Sequence, residues 1–175
     1  METFDVFVEQ LVTRFMKKSE FALKMVLFAM CGLFSGVILL IGLANPKLLG
    51  LFVLLIAGVI YLAYYLGGKF NIEFEYCLTN GLFDVDTIVN MKNRKRVASF
   101  ECKTVEEFGK FDANHNYNCN KKIIAANEGA DNLYYFVYTS KENGKVLLVI
   151  EPNEKMIGGL KRCLPRQMTL KVFDN

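Results

Sequence analysis

The chain has 175 residues, 53% hydrophobic and 22% charged, with a formal net charge of +3. This length suits one soluble domain plus an anchor, and so small a net charge excludes the strongly basic nucleic-acid binders. The five cysteines, Cys31, Cys77, Cys102, Cys119 and Cys163, are odd in number and form no C-x-x-C pair, so no disulfide framework, zinc site or other cofactor is expected.

Residues 3–18 place Phe4, Phe7, Val8, Leu11, Val12 and Phe15 at helical spacing, with Arg14, Lys17 and Lys18 at the end. The pattern predicts an amphipathic helix over 1–20, lying either on the membrane surface or against the soluble domain. The first apolar run starts near Phe21 and is longer than the hydrophobic region of a signal peptide. A second run follows at once, so no signal peptide is read here.

Between Met25 and Leu66 the only charged residue is Lys47. Crossing the bilayer core of about 30 Å takes about 20 apolar residues. The stretches 25–44 and 48–66 each supply such a run, and Asn45-Pro46-Lys47 breaks them apart. A transmembrane helical hairpin over 21–66 follows, since the rest of the chain is too small to wrap two helices that are apolar on every side. Arg14, Lys17, Lys18 and Lys24 precede the hairpin, and Lys69, Lys92, Arg94, Lys95 and Arg96 follow it. This bias predicts a multi-pass cell-membrane protein with both termini cytoplasmic. Tyr61, Tyr64 and Tyr65 stand where interfacial rings are favoured. Gly32 and Gly36 form a G-x-x-x-G, the spacing at which helices approach closely. Two readings stand: the motif packs the hairpin helices on each other, or it joins two copies of the chain. Cys31 would be a small hydrophobe, and the other four thiols suit a reducing cytosol.

After Gly67-Gly68 the period becomes two. Phe70, Ile72, Phe74, Tyr76 and Leu78 share one face of a strand, and Asn80-Gly81 supplies a tight turn into Leu82–Asn90. Further strands are predicted near 95–100, 104–110, 122–127, 133–139 and 145–151. The polar stretch 112–120 reads as a loop. Pro152 and Glu154 open an amphipathic helix over 152–164, with a tail over 168–175.

Seven strands followed by one helix resemble the pleckstrin-homology (PH)-like superfold. Tyr76-x-Leu78-Thr79-Asn80-Gly81 and Glu151-Pro152-Asn153-Glu154-Lys155 are similar to segments of a two-helix bacterial (Firmicutes-type) membrane family of unknown function. That resemblance implies a seven-stranded PH-like barrel with a C-terminal helix over 69–167, and it brings no chemistry with it.

Functional expectations come from geometry. A strand leaves the membrane end of the hairpin, reverses at Asn80-Gly81 and returns. This would set Lys92, Arg94, Lys95 and Arg96, together with Lys69, beside anionic lipid, where each charge is worth about 1 kcal/mol. The alternative is a solvated turn. The lipid bilayer is thus the first expected partner, with a protein partner or a second copy next. His115 and Cys119 are the only nucleophile–base pair in view, and no third orienting group accompanies them. Asp84 and Asp86 share a strand face as exposed edge charges. Tyr134-Tyr135-Phe136-x-Tyr138 puts rings on both faces of a strand, which suits core packing on one face and a peptide groove on the other. The expected function is a non-enzymatic membrane-anchored scaffold. The alternatives are an accessory subunit acting through the hairpin and, last, a Cys/His enzyme.

Overall fold

A computed structural model describes residues 5–173. They divide into two compact units. One holds residues 15–72 and 89–91, and the other holds the remainder on either side.

The first unit is the hairpin. Helix α1 spans Lys18–Ala44, a 3-10 turn spans Pro46–Leu48, and α2 spans Leu49–Gly68. Helix α1 starts earlier than the predicted 25, because Glu20 Oε2 accepts the Lys17 N–H at 3.2 Å and meets the positive helix end. It stops where Pro46 brings no N–H. Asn45 Nδ2 donates to Ile41 O at 3.0 Å and takes up a free carbonyl.

Both helices are long and apolar enough to cross a membrane, and only 6% of each apolar stretch is buried. The less exposed positions recur at steps of three or four: Leu27, Cys31, Ser35 and Ile38 on α1, and Phe52, Ile56, Val59 and Ala63 on α2. That spacing lines one face of each helix and marks the seam on which they pack.

The closest approaches are at Gly42 and Gly67. A Cβ on Gly42 would sit 3.0 Å from Phe52, and one on Gly67 would sit 3.0 Å from Phe28. Gly32 and Gly36 fall one residue off the seam, and a Cβ on either would meet nothing within 4 Å beyond its own helix. The expectation that this G-x-x-x-G packs the hairpin on itself is therefore corrected, since seam spacing selects Cys31 and Ser35 instead. Gly67→Leu is expected to lower the unfolding midpoint of the detergent-solubilised protein. Gly32→Leu should leave it unchanged, as tryptic digestion against temperature would report.

The second unit is the domain. Its first element corrects an expectation. Residues 7–13 form strand β1 (Phe7–Thr13), not a helix, and Phe4 lies outside the described residues. The spacing of Phe7, Val8, Leu11 and Val12 also satisfies an alternation that turns Val8, Gln10 and Val12 inward. The β-branched Val8, Val12 and Thr13 favour the strand, and a waiting partner decides it. Strand β1 pairs antiparallel with β2 (Ile72–Thr79), in a register that includes Phe7↔Thr79, Gln10↔Tyr76 and Thr13↔Glu73. The whole hairpin is thus an insertion in the β1–β2 connection.

Strands β3 (Leu82–Val89) and β4 (Asn93–Glu101) complete a sheet of order β1-β2-β3-β4. Asn80 at φ 49° and Gly81 at φ 90° make the β2–β3 turn. The second sheet contains β5 (Val105–Lys110), β6 (Lys121–Ala125), β7 (Tyr134–Ser140) and β8 (Gly144–Ile150), ordered β5-β7-β8-β6. Of its pairs, β6–β8 is parallel. The loop 112–120 carries the chain from β5 past β7 and β8 to reach β6. The expected seven-stranded closed barrel is therefore corrected. The described residues form eight strands in two four-stranded sheets, because β1 joins at the edge of β2 and the loop delivers β6 beyond β8.

Aromatic rings fill the space between the sheets. Phe136, fully buried, lies 5.3 Å from Phe83, 5.3 Å from Phe100 and 4.9 Å from Phe108 by ring centroids. The stretch 152–164 holds α3 (Glu154–Cys163), capped by the Asn153 side chain, which accepts the Met156 N–H at 2.8 Å. The tail expected over 168–175 is corrected as far as residue 173. Pro165 ends α3, and α4 (Arg166–Phe173) follows. Its Phe173 ring rests 5.8 Å from Phe108, under Lys161 Nζ at 4.4 Å.

Candidate functional site

Where β1 meets the C-terminal half, a set of polar side chains closes the domain. Gln10 Nε2 donates to Glu151 O at 2.8 Å, and Gln10 Oε1 accepts the Asn153 N–H at 2.8 Å. Asn127 Nδ2 donates to Thr13 O at 3.2 Å and to Glu151 Oε2 at 3.0 Å. The Tyr76 hydroxyl donates to Ala125 O and accepts the Glu151 N–H at 3.3 Å. Burial pushes the Tyr76 phenol well above its usual range, so it stays a donor. Sequence reasoning missed Gln10 and Asn127. The only signal was a glutamine among apolar residues of an alternating segment.

The basic turn is divided in use. On the outer face of the first sheet, Arg94 meets Glu75 at 2.6 Å. Arg96 meets Asp84 at 3.1 Å and Asp86 at 2.9 Å. Its hydrogen bond to Asp86 raises the Arg96 pKa further. Strand β3 lies inside the sheet, so Asp84 and Asp86 are not edge charges. They are the acidic rail of a cross-strand ladder. Arg94 and Arg96 are thus each paired with carboxylates of neighbouring strands. Lys92 and Lys95 form no ion pair among the described residues, and these two stay available for anions. Lys69, in the hairpin unit, lies with its Nζ 5.0 Å from the Tyr65 ring centroid.

The expected peptide groove on β7 is also corrected. Strand β7 sits between β5 and β8, and its outer face, with Tyr135 and Val137, is covered by Phe111, Tyr117, Cys119 and Leu133. The exposed sheet edge with a groove beside it is β1. Val6, Phe7 and Val8 face Lys155, Gly158 and Arg162 of α3 across an open groove of about 400 Å³. Phe7 and Leu11 are exposed on that strand.

His115 stands edge-on to Tyr117 at 4.8 Å, in a shallow pocket with Glu107 and Lys145. Cys119 packs instead against the Val137, Leu147 and Val149 cluster. No group of three or more His, Cys, Asp or Glu side chains gathers to hold a metal among the described residues.

Burial shifts two other thiols away from the thiolate. Burial raises the Cys102 pKa to about 12, and burial also raises that of Cys163. Since the thiolate is the nucleophile, alkylation of Cys102 at pH 8 should be slower than that of free cysteine by several orders of magnitude. It should catch up only on unfolding, as mass spectrometry of iodoacetamide-treated protein would show.

No curated protein and no solved structure matches the chain. A family model does, described as Bacterial PH-like domain (DUF6106), and it covers residues 4–170. That span takes in β1, the hairpin and both sheets, so the chain belongs to this bacterial PH-like domain family of unknown function.

Proposed function

We propose that this protein is a non-enzymatic, membrane-anchored binding scaffold. The hairpin crosses the cell membrane twice and keeps the PH-like domain, with both termini, on the cytoplasmic side. The observation that carries the reading is the pairing of Thr13 with Glu73. Both ends of an apolar hairpin run into neighbouring strands of one sheet, which supports their emerging on one side of the bilayer. The lysines and arginines that flank the hairpin favour the cytoplasm as that side. A protein segment is the ligand best suited to the domain. The β1 edge offers backbone hydrogen bonds, and the groove under α3 offers apolar wall and two cations. Lys92 and Lys95 add attraction to anionic lipid.

An impermeant maleimide on intact cells tests the orientation. A Lys47→Cys variant should label from outside, and a Lys141→Cys variant only after lysis. The reverse pattern would overturn it. Affinity capture from membranes then tests the binding surface. Paired Phe7→Glu and Leu11→Glu substitutions should abolish capture of partners that the intact protein retains.

The second reading is an accessory subunit of a larger membrane complex. Gly32 and Gly36, open on the flank of the hairpin, favour it. Loss of partners on Gly32→Leu and Gly36→Leu, with the β1 substitutions silent, would select that reading.

A further inference from the structure

The β3–β4 turn contains a residue that neither packing nor backbone preference explains. Met91 is 82% exposed. It also sits at φ 54°, directly after Asn90 at φ 54°. Left-handed backbone costs an ordinary residue roughly 1 kcal/mol, and asparagine and glycine tolerate it best. Asn90 fits that rule. Met91 does not, and its side chain finds no cover within the protein.

The turn is seated on the end of α2. The Asn90 N–H donates to Asn71 O at 2.8 Å. The Asn90 side chain takes the space where a Cβ on Gly68 would stand, 2.5 Å from such an atom. Exposed Tyr61, Tyr64 and Tyr65 surround the same end of α2, and Lys69 caps it over the Tyr65 ring. Rings and a lysine at the end of an apolar helix mark the membrane–water boundary. Gly68 therefore lies at that depth, and Met91, held beside it through Asn90, lies there too.

We propose that the β3–β4 turn is a third membrane contact of the chain, with the Met91 side chain seated in the headgroup–acyl boundary of the bilayer that the hairpin crosses. The inference rests on the reading of the hairpin as membrane-spanning. A thioether chain with three rotatable bonds adapts to a fluid surface better than a branched one. The next residue, Lys92, is free to meet lipid phosphate. The turn would thus act as a wedge at the membrane face.

The test uses the full-length protein in vesicles of phosphatidylcholine and phosphatidylglycerol. Its five native cysteines are replaced by alanine or serine. An environment-sensitive fluorophore is placed at Met91→Cys, at Leu54→Cys in mid-α2, and at Lys141→Cys in the β7–β8 turn. Nitroxides carried high on the acyl chain should quench the Met91 probe several-fold more than the Lys141 probe. Nitroxides near the bilayer centre should quench the Leu54 probe most. Quenching at Leu54 with Met91 no more affected than Lys141 would overturn the inference and leave the hairpin reading intact. A Leu54 probe untouched by either nitroxide would overturn both.

Discussion

A fragment starting at Phe70 should not fold to a cooperative monomer, whereas residues 1–14 joined to residues 72–175 by a short glycine–serine linker should. The first form lacks β1, and with it the seven-residue pairing to β2. Val12, which is buried, goes too. So does the Gln10 clamp on Glu151 and Asn153. Burying an aliphatic side chain is worth about 1.5–3 kcal/mol, and each hydrogen bond about 1 kcal/mol net. The loss therefore reaches roughly 5 kcal/mol or more, against a total stability of about 5–15 kcal/mol for a domain. The second form keeps all of this, because Thr13 and Glu73 are already partners and a tight turn spans them. Urea unfolding followed by circular dichroism would compare the two forms. A cooperative transition in the fragment from Phe70 would show that β1 is dispensable.

In that linked domain, Phe136→Ala is expected to cost about 3–5 kcal/mol, the usual penalty for emptying a buried phenylalanine site. Phe136 touches rings from both sheets, Phe83 and Phe100 on one and Phe108 on its own. Those rings are held by separate backbones and cannot all collapse into the space. The midpoint should fall by on the order of 15 °C. Phe136→Leu, which keeps much of the volume, should lose well under half of that. Equal losses would mean that the aromatic contacts, not the filled volume, hold the sheets together.

Much of the domain can be read from residue order. Strands β2 to β8 alternate or carry turn residues at their ends, as at Asn80-Gly81 and before Gly144. What cannot be read locally is pairing. The residues of β1 satisfy two periods at once, and only the β2 edge, reached after the entire hairpin, settles which applies. The same reason hides the ladder. Glu75, Asp86 and Arg94 meet because three strands take a particular register, so a cluster that looks uniformly basic in sequence is half neutralised in space. The outer face of β7 looks like a binding surface until the 112–120 loop is laid over it. The seam glycines are likewise Gly42 and Gly67, while the recognisable motif at Gly32 and Gly36 stands beside it.

The placement of the hairpin inside the sheet also bears on how the molecule is made. As the ribosome releases the chain, Phe7–Thr13 has no mate until the whole hairpin between it and β2 has been made. On the proposed topology, the edge of β2 can accept it only when the second pass of the hairpin has returned to the compartment where the first began. Closure of the sheet would then act as a late inspection of insertion: a polypeptide threaded the wrong way would leave an unclosed sheet with its apolar residues bare, a form suited to capture by chaperones or proteases.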